Sequence, residues 1–110
     1  IPFMSELSNQ DTAMALRLHP KDNVATLLEK ATAGCRVTVK NREGRLIEEI
    51  DACEEIRRGH KIAMISIPAG KHVIKYGETI GAATQSIHKG RSVHVHNMES
   101  LRGRGDRHDQ

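Results

Sequence analysis

The feature that most restricts how this chain can fold is a change of hydrophobic period at Gly34, after which short alternating runs are repeatedly cut by glycine. Arg36-Val37-Thr38-Val39-Lys40 alternates with period two, Asn41 to Gly44 supplies turn residues, and Arg45 to Ile50 returns, so this segment predicts a β-hairpin. His60 to Ile67 is apolar on both faces through Ile62, Ala63, Met64, Ile65 and Ile67 and predicts a fully buried strand. Pro68-Ala69-Gly70 breaks it, Lys71 to Lys75 is extended, and Tyr76-Gly77-Glu78 turns the chain again. Several short strands with frequent glycines predict a mainly β domain with one or two short helices.

The helices are expected early and late. Val24, Leu27, Leu28 and Ala31 fall at i, i+3, i+4 and i+7, with Asp22 or Asn23 as N-cap and Gly34 as the C′ residue. Ala13 to Leu18 carries a weaker helical hint, and Thr79 to Ile87 has room for one helical turn. Residues 1–15 are expected to be a flexible leader, with Ile1-Pro2-Phe3 a cloning remnant before a native start at Met4. Residues 16–98 then form the domain, and the polar residues 99–110 a tail or linker.

A chain of 110 residues suits one domain with a modest core, and one Phe, one Tyr and no Trp make that core aliphatic. The scarcity of aromatic residues argues against the stacking platforms of single-strand nucleic-acid binders. A net charge of +3, dispersed and partly placed in the last dozen residues, gives no basic block for phosphates. No apolar run approaches the roughly 18 to 20 residues that span a bilayer. Cys35 and Cys53 lack C-x-x-C spacing, so no zinc or iron–sulfur pattern is visible, and with no signal peptide the expectation is a cytoplasmic protein with free thiols. Arg104-Gly105-Asp106 matches an adhesion tripeptide, but without a secretion signal the match is read as chance.

Chemistry concentrates in Val93-His94-Val95-His96-Asn97. On a strand, Val93 and Val95 would face a core while His94 and His96 project together from the other side. Such a pair could bind a metal, a carboxylate or a sugar-acid hydroxyl, or be two solvated imidazoles. His19, Asp22 and Asn23, His60 and Lys61, and Lys75, Tyr76 and Glu78 are the other polar groups able to converge on a pocket, although each has a plain structural explanation. A lysine with several histidines would bind a small carboxylate and place a titratable group near the bond to be broken. Neither a nucleophile elbow, nor a phosphate loop, nor a four-ligand metal set accompanies them.

Four blocks in order, His19-Pro20-Lys21-Asp22-Asn23-Val24-Ala25, His60-Lys61-Ile62-Ala63, Val73-Ile74-Lys75-Tyr76-Gly77-Glu78 with Ile80-Gly81, and Gly90 with Val93 to Asn97, resemble the SAF domain of the altronate and galactarate dehydratase family. The resemblance covers roughly residues 16 to 106. It implies a β-clip fold and lyase chemistry, elimination of water from a sugar acid to give a 2-keto-3-deoxy acid, with a divalent metal, iron or manganese, bound mainly by a large catalytic subunit. The small subunit of sulfolactate sulfo-lyase is closely similar, with sulfite as the leaving group. A non-catalytic SAF module that binds ligands or partners is the reading from another class.

Dehydration needs the proton beside the carboxylate removed and the leaving hydroxyl polarised; His94 or His96 is expected to supply acid–base or substrate contacts, Lys75 or Lys61 to pair with the carboxylate and Asn97 to orient a hydroxyl, with His19 and His60 also expected to bind substrate. His94 and His96 are also metal-ligand candidates without a complete set. The implied partners are the large dehydratase subunit and the sugar acid, with neither nucleic acid nor membrane. Exposed strand edges make a homo-oligomer a further expectation. Because most of the machinery is expected on the large subunit, this chain alone is expected to be inactive.

Overall fold

The computed structural model describes residues 12–101. Nine strands account for its regular structure: β1 Thr12–Leu16, β2 Val24–Leu27, β3 Arg36–Lys40, β4 Leu46–Asp51, β5 Lys61–Ala63, β6 His72–Lys75, β7 Glu78–Ala83, β8 Ser92–Val93 and β9 Met98–Ser100. They form a six-stranded sheet in the order β4-β3-β1-β2-β5-β8 and a three-stranded sheet in the order β6-β7-β9. Only the β1–β3 pair is parallel. The mainly β expectation and the hairpin over 36–50 are borne out.

The expected helices do not form. β2 occupies the centre of the larger sheet, paired to β1 on one side and β5 on the other. Its residues serve both faces: Val24 enters one core, and Ala25 and Leu27 enter the other. Strand pairing on both sides therefore overrides the 3.6-residue spacing, whose fourth member, Ala31, sits in an isolated bridge to Ile56 and whose Leu28 is exposed. Thr12–Leu16 and Glu78–Ala83 are likewise strands rather than helical turns. β5 is shorter than expected: Ile62, Ala63 and Met64 are buried, but Ile65 is exposed. β1 begins within the stretch read as leader and β9 lies at the start of the stretch read as tail. Residues 1–11 and Arg104-Gly105-Asp106 lie outside the described residues.

Order comes from a motif used four times, an apolar residue, two loop residues and a glycine: Ala31 to Gly34, Ile56 to Gly59, Ile67 to Gly70 and Ile87 to Gly90. Each glycine has a positive φ, from 84 to 93°, and the next residue's N–H donates to the carbonyl three residues back, at 2.9 to 3.1 Å. This is turn geometry that glycine adopts without steric cost. The turns dock in pairs. Ala31 exchanges two hydrogen bonds with Ile56, and Ile67 exchanges two with Ile87. Ala31 and Ile56 belong to a core formed largely by β1 to β5, whereas Ile67 and Ile87 belong to a second core with Val24, Ala63, Val73, Ala83 and Val93. β2 and β5 are the shared wall between these cores.

Candidate functional site

The turn at Gly59 delivers His60 to the start of β5, and the turn at Gly90 delivers Val93 to the end of β8. Lys61 pairs with Val93 across the antiparallel β5–β8 ladder, so His60 and His94 are the next residues facing one another. Their rings stack with centroids 4.1 Å apart and planes inclined by 23°. His94 does not belong to a strand shared with His96, as the alternating pattern predicted. β8 ends at Val93, and His94 to Asn97 make a turn closed by the Asn97 N–H donating to the His94 carbonyl at 3.0 Å. Val95, expected in the core, is 77% exposed at the tip of that turn.

Asn97 is buried, and its amide is committed to this turn: Oδ1 accepts the His94 N–H at 3.0 Å, and Nδ2 donates to the Ser92 carbonyl at 2.8 Å. It therefore positions His94 rather than offering a free amide to a hydroxyl.

The charges are convergent and alike. Burial holds the Lys61 ammonium below its usual range, and Lys75 nearby pushes it the same way. Burial likewise lowers the His94 imidazole, helped in turn by His60, Lys61 and His96. His60, Lys61, Lys75, His94 and His96 are thus one electrostatic neighbourhood, in which a bound carboxylate would relieve cation–cation repulsion. His94, kept neutral, has a lone pair able to accept a proton.

Lys75 is brought there by a tight hairpin. Lys75 pairs with Glu78, leaving Tyr76 and Gly77 as a two-residue loop with φ values of 60 and 74°. Both positive angles are those of the hairpin turn that prefers Asn-Gly, so Tyr76 occupies a position unfavourable to an aromatic residue. Tyr76 is 61% exposed, and the Lys75 Nζ lies 5.4 Å from its ring centroid.

Asp22 clamps the loop from the other sheet. The carboxylate accepts the Gly77 N–H at 2.8 Å, the Tyr76 N–H at 3.1 Å and the His19 N–H at 3.1 Å. His19 then covers Gly77 so closely that a Cβ there would meet the imidazole at 2.9 Å. Asn23 continues the clamp, with Oδ1 accepting the Ile74 N–H and Nδ2 donating to the His72 carbonyl. Asp22 and Asn23 are therefore not helix caps but ties between the two sheets.

A match to the Altronate/galactarate dehydratase SAF domain extends over residues 13–101. The chain belongs to this SAF-domain family. This SAF domain is 38% identical over 85 residues to altronate dehydratase of Escherichia coli (strain K12), covering 77% of this chain and 16% of that protein. It is 34% identical over 79 residues to galactarate dehydratase (L-threo-forming) of the same strain, covering 72% of this chain and 14% of that protein. With (2R)-sulfolactate sulfo-lyase subunit alpha of Paracoccus pantotrophus it shares 40% over 68 residues, 62% of this chain but 96% of that subunit. The SAF domain thus spans a small part of the dehydratases and nearly all of the sulfo-lyase subunit.

The donor set of this SAF domain does not by itself fit the divalent metal implied by the resemblance. Among the described residues no three His, Cys, Asp or Glu side chains converge as ligands. His60 and His94 face each other through their ring planes, and the Lys61 ammonium, which acts electrostatically on His94, would repel a dication. No helix among the described residues is long and apolar enough to cross a membrane. A groove of about 570 Å³ between Asn23, Ile65, Ser66, Lys71, His72 and Ile74 includes none of the clustered histidines or Lys61 and Lys75. His96 instead lines a second cavity of about 280 Å³ with Glu54, Gln85, Ser86, Ile87, His88 and Arg91.

Two contributions escaped the sequence reading. Asp22 as a clamp was hidden because its partners are 54 and 55 residues away. Tyr76 as a strained tip was signalled only by the Tyr-Gly pair at a hairpin position.

Proposed function

We propose that this chain is the small subunit or N-terminal SAF domain of a sugar-acid dehydratase of the altronate/galactarate type, supplying one wall of an active site completed by a large catalytic partner. The observation that carries this reading is the convergence of His60, Lys61, Lys75, His94 and His96 at an open face. Such a face suits a carboxylate substrate yet lacks the groups needed to finish the chemistry. Lys61 and Lys75 bind the carboxylate. His94, held neutral and aimed by Asn97, takes the proton from the carbon beside that carboxylate or returns one to the leaving hydroxyl. His96, exposed on the same turn, is the second acid–base group, while His60 stacks on His94 and His19 packs the Lys75–Glu78 loop. The divalent metal is assigned to the partner, and the surroundings are cytoplasmic. The match to nearly the whole of a sulfo-lyase alpha subunit supports a free-standing subunit and makes elimination of sulfite from sulfolactate the second reading.

The test is to co-express this chain with a large dehydratase-like subunit, purify the complex, and assay altronate, galactarate and sulfolactate with and without iron or manganese. A complex that eliminates water from one sugar acid, at a rate neither chain reaches alone, is the expected result. Release of sulfite from sulfolactate selects the second reading. Failure of the chains to associate, or full activity of the large chain alone, contradicts both and leaves a non-catalytic module.

A further inference from the structure

Arg17, at the end of β1, is a guanidinium without a counter-charge. Its Nε is sealed from water and has no hydrogen-bond acceptor, and among the described residues no acidic side chain forms an ion pair with it. Its backbone is fixed, because the Arg17 N–H donates to the Lys40 carbonyl at 2.8 Å. A buried Nε–H without an acceptor is retained at a cost, while Arg17 as a whole is half-buried.

Arg17 also lines a cavity of about 250 Å³, together with Leu18, His19, Pro20, Asn41, Arg42 and Glu43. The opposite rim is the loop from Asn41 to Arg45, held in shape by the Asn41 side-chain oxygen, which accepts the N–H groups of Glu43 and Arg45 at 3.0 and 2.9 Å. Arg42, on this loop, is a second guanidinium with no ion pair among the described residues. Two arginines lining one cavity form an arrangement suited to bidentate recognition of an oxyanion, while the His19 imidazole is committed to the Lys21 N–H and to Gly77.

We propose that this cavity is an oxyanion-binding site, separate from the His60–His94 wall, in which Arg17 and Arg42 hold a carboxylate or phosphate group of a small organic ligand. The site goes beyond the proposed lyase reading and does not depend on it. Glu43 is the sole acidic group lining the cavity and limits the affinity, so that one compact anion is accommodated rather than a polyanion.

The experiment is a titration of the full chain with a six-carbon dicarboxylate, inorganic phosphate or sodium chloride at matched ionic strength, following the Arg Nε–H resonances by NMR. Saturable movement of the Arg17 resonance by the dicarboxylate or by phosphate, and not by chloride, is expected, and the ligand that saturates first identifies the source of the oxyanion. Arg42→Gln, a change at an exposed position, is expected to weaken binding at least tenfold without altering the fold. Glu43→Gln should tighten it, and His94→Gln should leave it within twofold. Movement common to all three salts, an Arg17 resonance that does not move, or saturation unaffected by Arg42→Gln overturns the proposal.

Discussion

Asp22 shows how much of the site depends on one carboxylate. It accepts N–H groups from His19, Tyr76 and Gly77, and its removal would leave half-buried donors from two segments unpaired. Asp22→Ala is therefore expected to cost on the order of 3 kcal/mol in a denaturant titration, since charged hydrogen bonds of this kind contribute about 1.5 to 3 kcal/mol each and are not additive. Asp22→Asn should cost less, because an amide oxygen still accepts. A loss below about 1 kcal/mol for Asp22→Ala would show that the clamp does not hold the loop. His94 makes a pH-dependent prediction. Its imidazole binds a proton less readily in the folded chain than at the ordinary value of 6.5, so the unfolded state holds more protons just below that pH. Its contribution to stability is present above pH 6.5 and is lost as pH falls through the lowered folded value. Unfolding free energy measured between about pH 8 and about pH 5 should decline over this window, and His94→Gln should flatten the decline. The residue types were legible in the sequence. The roles of Asp22 and Asn97 were not, because a carboxylate that caps a helix and one that clamps a distant hairpin look alike until the partner N–H groups are located.

The Lys75–Glu78 turn and the Gly90 turn make predictions about elements. Tyr76 occupies a left-handed position with its ring exposed, so Tyr76→Asn is expected to stabilise the chain by about 0.5 to 1 kcal/mol by relieving the backbone. A loss of stability would mean that the ring packs on something that compensates the strain. A Cβ on Gly90 would lie 2.4 Å from the Asp51 carbonyl, whereas one on Gly44 would meet nothing within 4 Å, although both residues have positive φ. Gly44→Ala should cost about 1 kcal/mol, and Gly90→Ala should cost several, because close backbone contact is added to an equal conformational penalty. Equal melting temperatures for the two variants would contradict this. The hairpin over 36–50 was readable because its alternation faces a single core. β2 was misread because a central strand buried on both faces has no alternation, and four apolar residues spaced over two turns of chain can arise by chance. The His94–His96 alternation misled for the opposite reason: two residues of real strand were followed by a turn that continued the pattern in letters alone.

At the scale of the molecule, four glycine turns dock in two pairs and place β2 and β5 between two small cores. The recurring spacing of an apolar residue and a glycine three positions later was present in the sequence, but the variation of Ala31, Ile56, Ile67 and Ile87 and of the loop residues concealed the repeat. The β5–β8 ladder between them brings His60 and His94 face to face although they follow turns 31 residues apart, at Gly59 and Gly90, that belong to different docked pairs. In the proposed function this site holds the acid and a large partner encloses it. The most direct test is steady-state kinetics of the assembled complex carrying Lys61→Met or His94→Gln, with assembly verified by gel filtration. Intact complexes are expected in which Lys61→Met raises KM for the sugar acid at least tenfold and His94→Gln lowers kcat by about 100-fold, the usual scale for loss of an acid–base group. Intact complexes with unchanged kcat and KM in both variants would show that the cationic wall takes no part in the reaction.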